Sequence, residues 1–190
     1  YNRRTARKSG RGGSVKGTVR LETERLVLRR FEAGDADALY REFGSNENMS
    51  RYSGWNPYAT PEMAQATVGD YLERYGDPAF YSWAIDRNGE LAGTIGAYDY
   101  DAAASSIEVG FSIAEPSWGK GYASEALRAV LRYLVDDERI AQVRAWCASD
   151  NVGSRRVLEK CGMVLTNTEK GALAVGDETF DRLDFVYEKR

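Results

Sequence analysis

One stretch constrains the fold more than any other. Over residues 106–114 the side chains alternate strictly. Ile107, Val109, Phe111 and Ile113 share one face, while Glu108, Gly110, Ser112 and Ala114 share the other. That period of two marks a strand with one buried side. The turn Trp118-Gly119-Lys120-Gly121 then opens a predicted helix at about 121–137, with Ala123, Leu127, Val130, Leu131 and Leu134 as its apolar stripe. Residues 141–148 read as a second strand. Strand, helix and strand in this order leave the two strands parallel, joined by a right-handed crossover.

The rest of the chain is connected differently. Residues 25–31 read as a strand with Leu26, Leu28 and Arg30 on one face, and 35–43 as a short helix opened by Gly34-Asp35. Residues 44–58 are turn-rich and aromatic, a loop. Thr60 as N-cap and Pro61 at the first helical position start a helix that runs to about Tyr75 and stops at Gly76-Asp77-Pro78. Runs 79–86 and 90–98 flank Arg87-Asn88-Gly89, a hairpin signal. A helix over 151–160 ends at Gly162, and strands follow at 163–168 and 179–188. The fold class expected is therefore α/β (α+β): a mixed, mostly antiparallel sheet of six to seven strands with helices on both faces.

Composition narrows the chemistry. At 190 residues, 43% hydrophobic and 29% charged, the chain suits one globular domain and not a disordered or fibrous class. No run of about 18 apolar residues is present, so no membrane span is expected, and the start Tyr1-Asn2-Arg3-Arg4 has no apolar stretch behind it to serve as a secretory signal. There is no histidine, which excludes Ser-His-Asp and Cys-His nucleophile systems and any zinc site needing imidazole. The two cysteines, Cys147 and Cys161, supply neither a thiolate zinc site nor a disulfide framework. No metal is expected, and a reducing cytoplasm is the expected location. Acid–base work must fall to Glu, Asp, Tyr, Lys or bound water.

Charge is unevenly spread. Residues 1–20 hold seven basic side chains and no acid, +7; the other 170 hold 19 basic and 29 acidic, −10, and the two sum to −3. A basic, Gly/Ser-rich, flexible arm (1–20) thus precedes a single domain (21–190). Such an arm reads as a solvated terminus, with nucleic acid not the expected partner and a second copy of the chain a possible one.

The segment from Trp118 to Ala126 carries the chemistry. Its two glycines let the backbone turn tightly and expose N–H groups at a helix N-terminus, a combination that binds phosphate oxygens. The same G-x-G pattern also serves as a plain tight turn. It has neither the spacing of a nucleotide-hydrolysing P-loop nor the third glycine of a dinucleotide fold. Glu108, a charge within an apolar strand beside Gly110 and Ser112, is a candidate base or a half-exposed strand glutamate. Backbone N–H groups near Phe111, Ser112 and Ile113 are placed to polarise a carbonyl.

In context the segment resembles the GNAT acetyltransferases, whose acetyl-CoA signature runs Q/R-x-x-G-x-G/A. Trp118, Gly121 and Ala123 match it here, and Trp118 at the Q/R position offers phosphate no polar side-chain contact. The chain is most similar to the branch containing the ribosomal-protein N-terminal alanine acetyltransferases. The similarity rests on Thr23-Glu24-Arg25-Leu26-Val27-Leu28-Arg29, on Ile107-Glu108-Val109-Gly110-Phe111, and on Asn151-x-x-Ser154-x-x-x-Leu158-Glu159-Lys160-x-Gly162. It spans roughly residues 21–188. The resemblance implies splayed central strands holding the pantetheine arm of acetyl-CoA between 106–114 and 141–148. It implies that the backbone of Gly119, Lys120, Gly121, Tyr122, Ala123 and Ser124 holds the diphosphate. Asn151 is implied to bond the CoA arm, although N-capping explains it as well. Glu108 is implied as general base and Ser154 as proton donor to the leaving thiolate, a satisfied inward serine being the alternative for the latter. Arg51, Tyr52, Trp55 and Tyr58 are implied to wall the acceptor pocket. The function implied is direct acetyl transfer from acetyl-CoA to a primary amine, a protein N-terminal α-amine or a small cationic amine. A non-catalytic acyl-CoA-binding module is the alternative.

Overall fold

The computed structural model describes residues 15–52, 55–175 and 177–188. One eight-stranded sheet runs in the order β1-β2-β3-β4-β5-β6-β8-β7. Its strands are β1 Leu21–Glu22, β2 Val27–Arg29, β3 Tyr81–Arg87, β4 Glu90–Asp101, β5 Ser106–Ile113, β6 Gln142–Ala148, β7 Val164–Val175 and β8 Glu178–Glu188. Only β5 and β6 are parallel; every other neighbouring pair is antiparallel. The helices are α1 Asp35–Leu39, α2 Glu47–Ser50, α3 Pro61–Arg74, α4 Tyr122–Arg132 and α5 Val152–Lys160. None among the described residues is long and apolar enough to cross a membrane.

The expected mixed, mostly antiparallel sheet is present with one strand more than anticipated. The extra strand is the two-residue β1, whose Leu21 pairs with Leu28; so short a run carries no periodic signal. Residues expected to form a plain loop at 44–58 include α2, capped by Asn46 through a bond from the Asn48 N–H. The first and fourth helices each widen into a π-helical turn, at Tyr40–Gly44 and Tyr133–Asp137. β7 and β8 form a hairpin much longer than the sequence pattern suggests, because β7 is exposed along most of its length and has no buried face to produce alternation.

The two faces of the sheet differ in what covers them. α4 and α5 bury the larger core against one face. There Leu127, Val130 and Leu134 of the fourth helix meet Trp83, Ile95, Ile107, Val109, Val143 and Phe185, each fully buried Leu or Val contributing about 1.5–3 kcal/mol. On the other face α1 and α3 cover only the β2–β4 half, through Phe31, Leu39, Phe43, Ala64, Val68 and Ala84. Over β5, β6 and β8 that face instead carries half-buried Glu108, Arg144, Trp146, Arg182 and Asp184.

Residues 1–14 of the basic arm lie outside the described residues, but residues 16–19 pack against the body. Glu138, 8% exposed, accepts from the Lys16 N–H (2.9 Å), Tyr81 Oη (2.7 Å) and Tyr133 Oη (2.9 Å). Thr18 donates to the Phe80 carbonyl, and Trp83 Nε1 donates to the Val19 carbonyl. Burial, followed by the bond to Glu138, pushes both tyrosine hydroxyls well above their usual pKa. Glu138→Ala strands the Lys16 N–H and the Tyr81 hydroxyl, while the Tyr133 hydroxyl keeps the Gly17 carbonyl; we expect a loss of about 2–3 kcal/mol, read as a lower urea midpoint at unchanged slope.

Candidate active site

The parallel ladder between β5 and β6 is only three residue pairs long: Ser106 with Gln142, Ile107 with Val143, Glu108 with Arg144. Beyond it β5 continues to Ile113 and β6 to Ala148 with no pairing between them. The directions of their peptide groups follow from the bonds at either end. Gln142 N–H donates to Ser105 O across this pair, and Ala114 N–H donates to Ala92 O on the β4 side. Since successive peptide groups point to opposite sides, those of Val109, Phe111 and Ile113 face the gap, as do those of Trp146 and Ala148. A seam without strand pairing thus opens in the middle of the sheet; its Ile113 and Ala148 carbonyls already accept from Trp118 Nε1 and the Asn151 N–H, and an extended polar chain can complete the rest. The structure matches the splay implied by the resemblance.

Both strands of the seam run into helix N-termini. After β5 the chain turns at Gly119 (φ 73°) and Gly121 (φ 81°), left-handed conformations that favour glycine. Gly121 caps α4 without a side-chain bond, and the first helical bond is Glu125 N–H to Gly121 O. The N–H groups of Tyr122, Ala123 and Ser124 therefore have no partner within the helix. Trp118 lies half-exposed and uses its only side-chain donor on the Ile113 carbonyl, 2.6 Å away. It fastens the turn to the end of β5, beside the open N–H groups of Tyr122, Ala123 and Ser124.

Glu125 holds the turn in place. Its carboxylate accepts from Thr23 Oγ1 (2.6 Å), Arg25 N–H (2.9 Å) and the Arg25 guanidinium (2.6 Å), and Arg25 also donates to Lys120 O. Burial pushes the Glu125 pKa up, but the bonds from Thr23 and Arg25 outweigh it and hold the carboxyl below its usual range. The clamp is therefore charged at neutral pH and is lost only as acid titrates it. A cavity of about 380 Å³ beside the turn is lined by Arg25, Gly121, Ser124, Arg128 and Lys160, among others.

Glu108 sits where the ladder ends and the seam begins. Its side chain, 15% exposed, accepts from Trp146 Nε1 at 3.0 Å and lies 4.0 Å from the Arg182 guanidinium. Arg182 covers the Trp146 ring at 4.9 Å and pairs with Asp184 at 2.7 Å. Tyr98, the β4 partner of Glu108, lies over Gly110 so closely that a Cβ there would stand 2.7 Å from its hydroxyl. These four neighbours were not among the sequence candidates. They come from three other strands, and only the parity of Arg144 and Trp146 in β6, or of Arg182 and Asp184 around Leu183, hinted that they share a face with Glu108.

Asn151 caps α5, its Oδ1 accepting the Ser154 N–H at 3.0 Å, which is the capping alternative. Ser154 is half-buried in the first turn, one turn before fully buried Leu158. The aromatic loop divides. Tyr52 reaches the end of β6, where its hydroxyl donates to Asp150 O and its ring meets Phe180 of β8, with Arg51 stacked on it at 5.5 Å. Trp55 is largely exposed. Tyr58 packs against Phe43 in the smaller core, where burial pushes its hydroxyl pKa up. Arg51 and Tyr52 thus border the seam, whereas Tyr58 supports the loop from below.

A family model for the GNAT acetyltransferase domain matches residues 25–164. The chain belongs to the GNAT family. The N-acetyltransferase YoaA of Bacillus subtilis, itself uncharacterized, is 32% identical over 144 residues, covering 75% of this chain and 81% of YoaA. A GNAT acetyltransferase from Bacillus anthracis superposes with a TM-score of 0.78 at 27% identity, covering 90% of this chain and 98% of that one. RimL, a ribosomal L7/L12 α-N-protein acetyltransferase solved with coenzyme A, shares the fold with a TM-score of 0.80 at 19% identity, covering 87% and 95%. The chain is an acetyl-CoA-dependent acetyltransferase, and acetyl-CoA is its co-substrate. The seam and the glycine turn suit that ligand: an extended amide-bearing arm can pair with the open strand edges, and its diphosphate can meet the open N–H groups.

Gly121→Ala places a side chain at φ 81°, at a cost of about 1–2 kcal/mol. We expect about tenfold weaker acetyl-CoA binding by calorimetry. Burial pushes the Cys147 thiol up to about 11. At pH 8 only about one thiol in a thousand is ionised, so native protein should react with a thiol reagent far more slowly than urea-unfolded protein.

Proposed function

We propose that the enzyme acetylates an α-amine, that of a protein N-terminus, with Glu108 as general base. The observation that carries this reading is the position of Glu108: a carboxylate fixed by Trp146 at the mouth of the seam, facing the half of the sheet that no helix covers. The amine nitrogen attacks the thioester carbonyl carbon, the C–S bond breaks, an amide forms, and CoA leaves as its thiol. The N–H groups of Phe111 and Ile113 receive the developing oxyanion. Glu108, directly or through water, removes the amine proton, and Ser154 returns one to the sulfur.

The α-amine is favoured on acidity. With a pKa near 8 about a tenth of it is neutral at pH 7, against about 0.04% of a lysine side chain, so a carboxylate suffices as base. RimL acetylates an α-amine of a ribosomal protein, and this supports the same choice for a chain of the same fold. Arg51 and Tyr52 wall the acceptor side, with Trp55 at the rim. Both cysteines are free and buried, as a reducing cytoplasmic setting allows.

Glu108→Gln is expected to lower kcat by at least about a hundredfold while acetyl-CoA binding stays within twofold. Thiol release should follow N-terminal peptides in preference to polyamines and aminoglycosides. Full turnover in the variant removes Glu108 from the mechanism.

A further inference from the structure

The uncovered face beside Glu108 carries four charges, and three of them satisfy one another. Arg182 pairs with Asp184 at 2.7 Å and approaches Glu108 at 4.0 Å, while Asn167 donates to the other Asp184 oxygen at 3.0 Å. Arg144 is the fourth. It is half-buried at the centre of the sheet, the ladder partner of Glu108 on β5 and of Val186 on β8. Its Nε is buried with no hydrogen-bond partner, and it forms no ion pair among the described residues.

A guanidinium is planar, permanently charged and shaped to grip a carboxylate with two parallel bonds. Leaving a buried donor of this kind unmet is costly, so its surroundings favour a ligand that brings an acceptor. Strand partners stand about 4.8 Å apart. The guanidinium and the Glu108 carboxylate therefore rise side by side from one face, one suited to an anion and the other to an amine.

We infer that Arg144 binds a carboxylate carried close to the reacting amine, so that the acceptor is an α-amine with an acidic group on its own residue. This rests on the proposed function, since it takes Glu108 to mark where the amine sits. The carboxylate can come from an Asp or Glu at the start of a protein chain or from the α-carboxylate of a free amino acid, and the experiment separates these sources. Arg144 then acts as a specificity residue in the acceptor site, and the bond-making steps are unchanged.

The test uses the full chain, acetyl-CoA and matched acceptors in a thiol-release assay. The pairs are peptides beginning Asp or Asn, peptides beginning Glu or Gln, and alanine against alaninamide. We expect at least one pair to favour the acid about tenfold or more in kcat/KM. Arg144→Gln should bring that ratio close to one, Arg144→Lys should restore part of it, and acetyl-CoA affinity should be unchanged in both, which also reports that the variants fold. Preference within the peptide pairs assigns the source to a protein N-terminus, and preference only for alanine assigns it to a free amino acid. Equal use of acid and amide in every pair, or a ratio that survives Arg144→Gln, overturns the inference while leaving acetylation intact. Absence of thiol release from every amine, with acetyl-CoA still bound, overturns the proposed function and the inference with it.

Discussion

Backbone pairing that stops too early shapes everything else in this molecule. A sheet satisfies its amides by continuing its ladders, and six of the seven neighbouring strand pairs do so as antiparallel edges. Between β5 and β6 the ladder is parallel and ends after Glu108 and Arg144. Both strands remain fixed on their outer sides, β5 by β4 and β6 by β8. The opening is thus held by the fold and is not a frayed end. Buried peptide groups in this position favour a ligand that is itself a chain of amides, and the pantetheine arm of acetyl-CoA is one.

The connection that makes the pair parallel also furnishes the rest of the site. A crossover helix must begin just beyond the strand it leaves, so the α4 N-terminus lies at the open end of β5, as the α5 N-terminus lies at the open end of β6. The left-handed glycines 119 and 121 let the turn present its N–H groups, and Glu125 anchors it through Arg25 to the β1–β2 segment. The two faces then divide the labour. The face under α4 and α5 is apolar and supplies rigidity; the other is left open beyond β4 and carries Glu108 hydrogen-bonded to Trp146, with Arg182 over the Trp146 ring. In the proposed reaction a carboxylate placed there would meet an acceptor arriving from solvent on the side away from the crossover helices.

Much of this was legible in the sequence because it is written in local patterns. The alternation around Glu108, the glycines of the turn and the stripe of the fourth helix each come from neighbouring residues, and each is found where the pattern places it. What escaped notice depends on residues far apart. Trp146 reaches Glu108 across 38 positions, and Arg182 arrives from the final hairpin, where an exposed β7 leaves no alternation to read. The sequence marks Trp118 as a poor phosphate ligand, but its bond to the Ile113 carbonyl depends on how the turn folds back. Tyr58 looked like one of a set with Tyr52 and Trp55, because adjacency in a loop does not reveal which rings turn toward the core.

The seam as a slot for acetyl-CoA is the claim on which the mechanism stands. Amide hydrogen exchange with and without acetyl-CoA measures it directly. Bound ligand is predicted to slow exchange at Phe111 and Ile113, at Trp146 and Ala148, and in the turn at Gly119–Ser124, leaving the paired β3–β4 hairpin unchanged. Protection confined to other regions, or no protection at these amides under saturating ligand, would contradict the account.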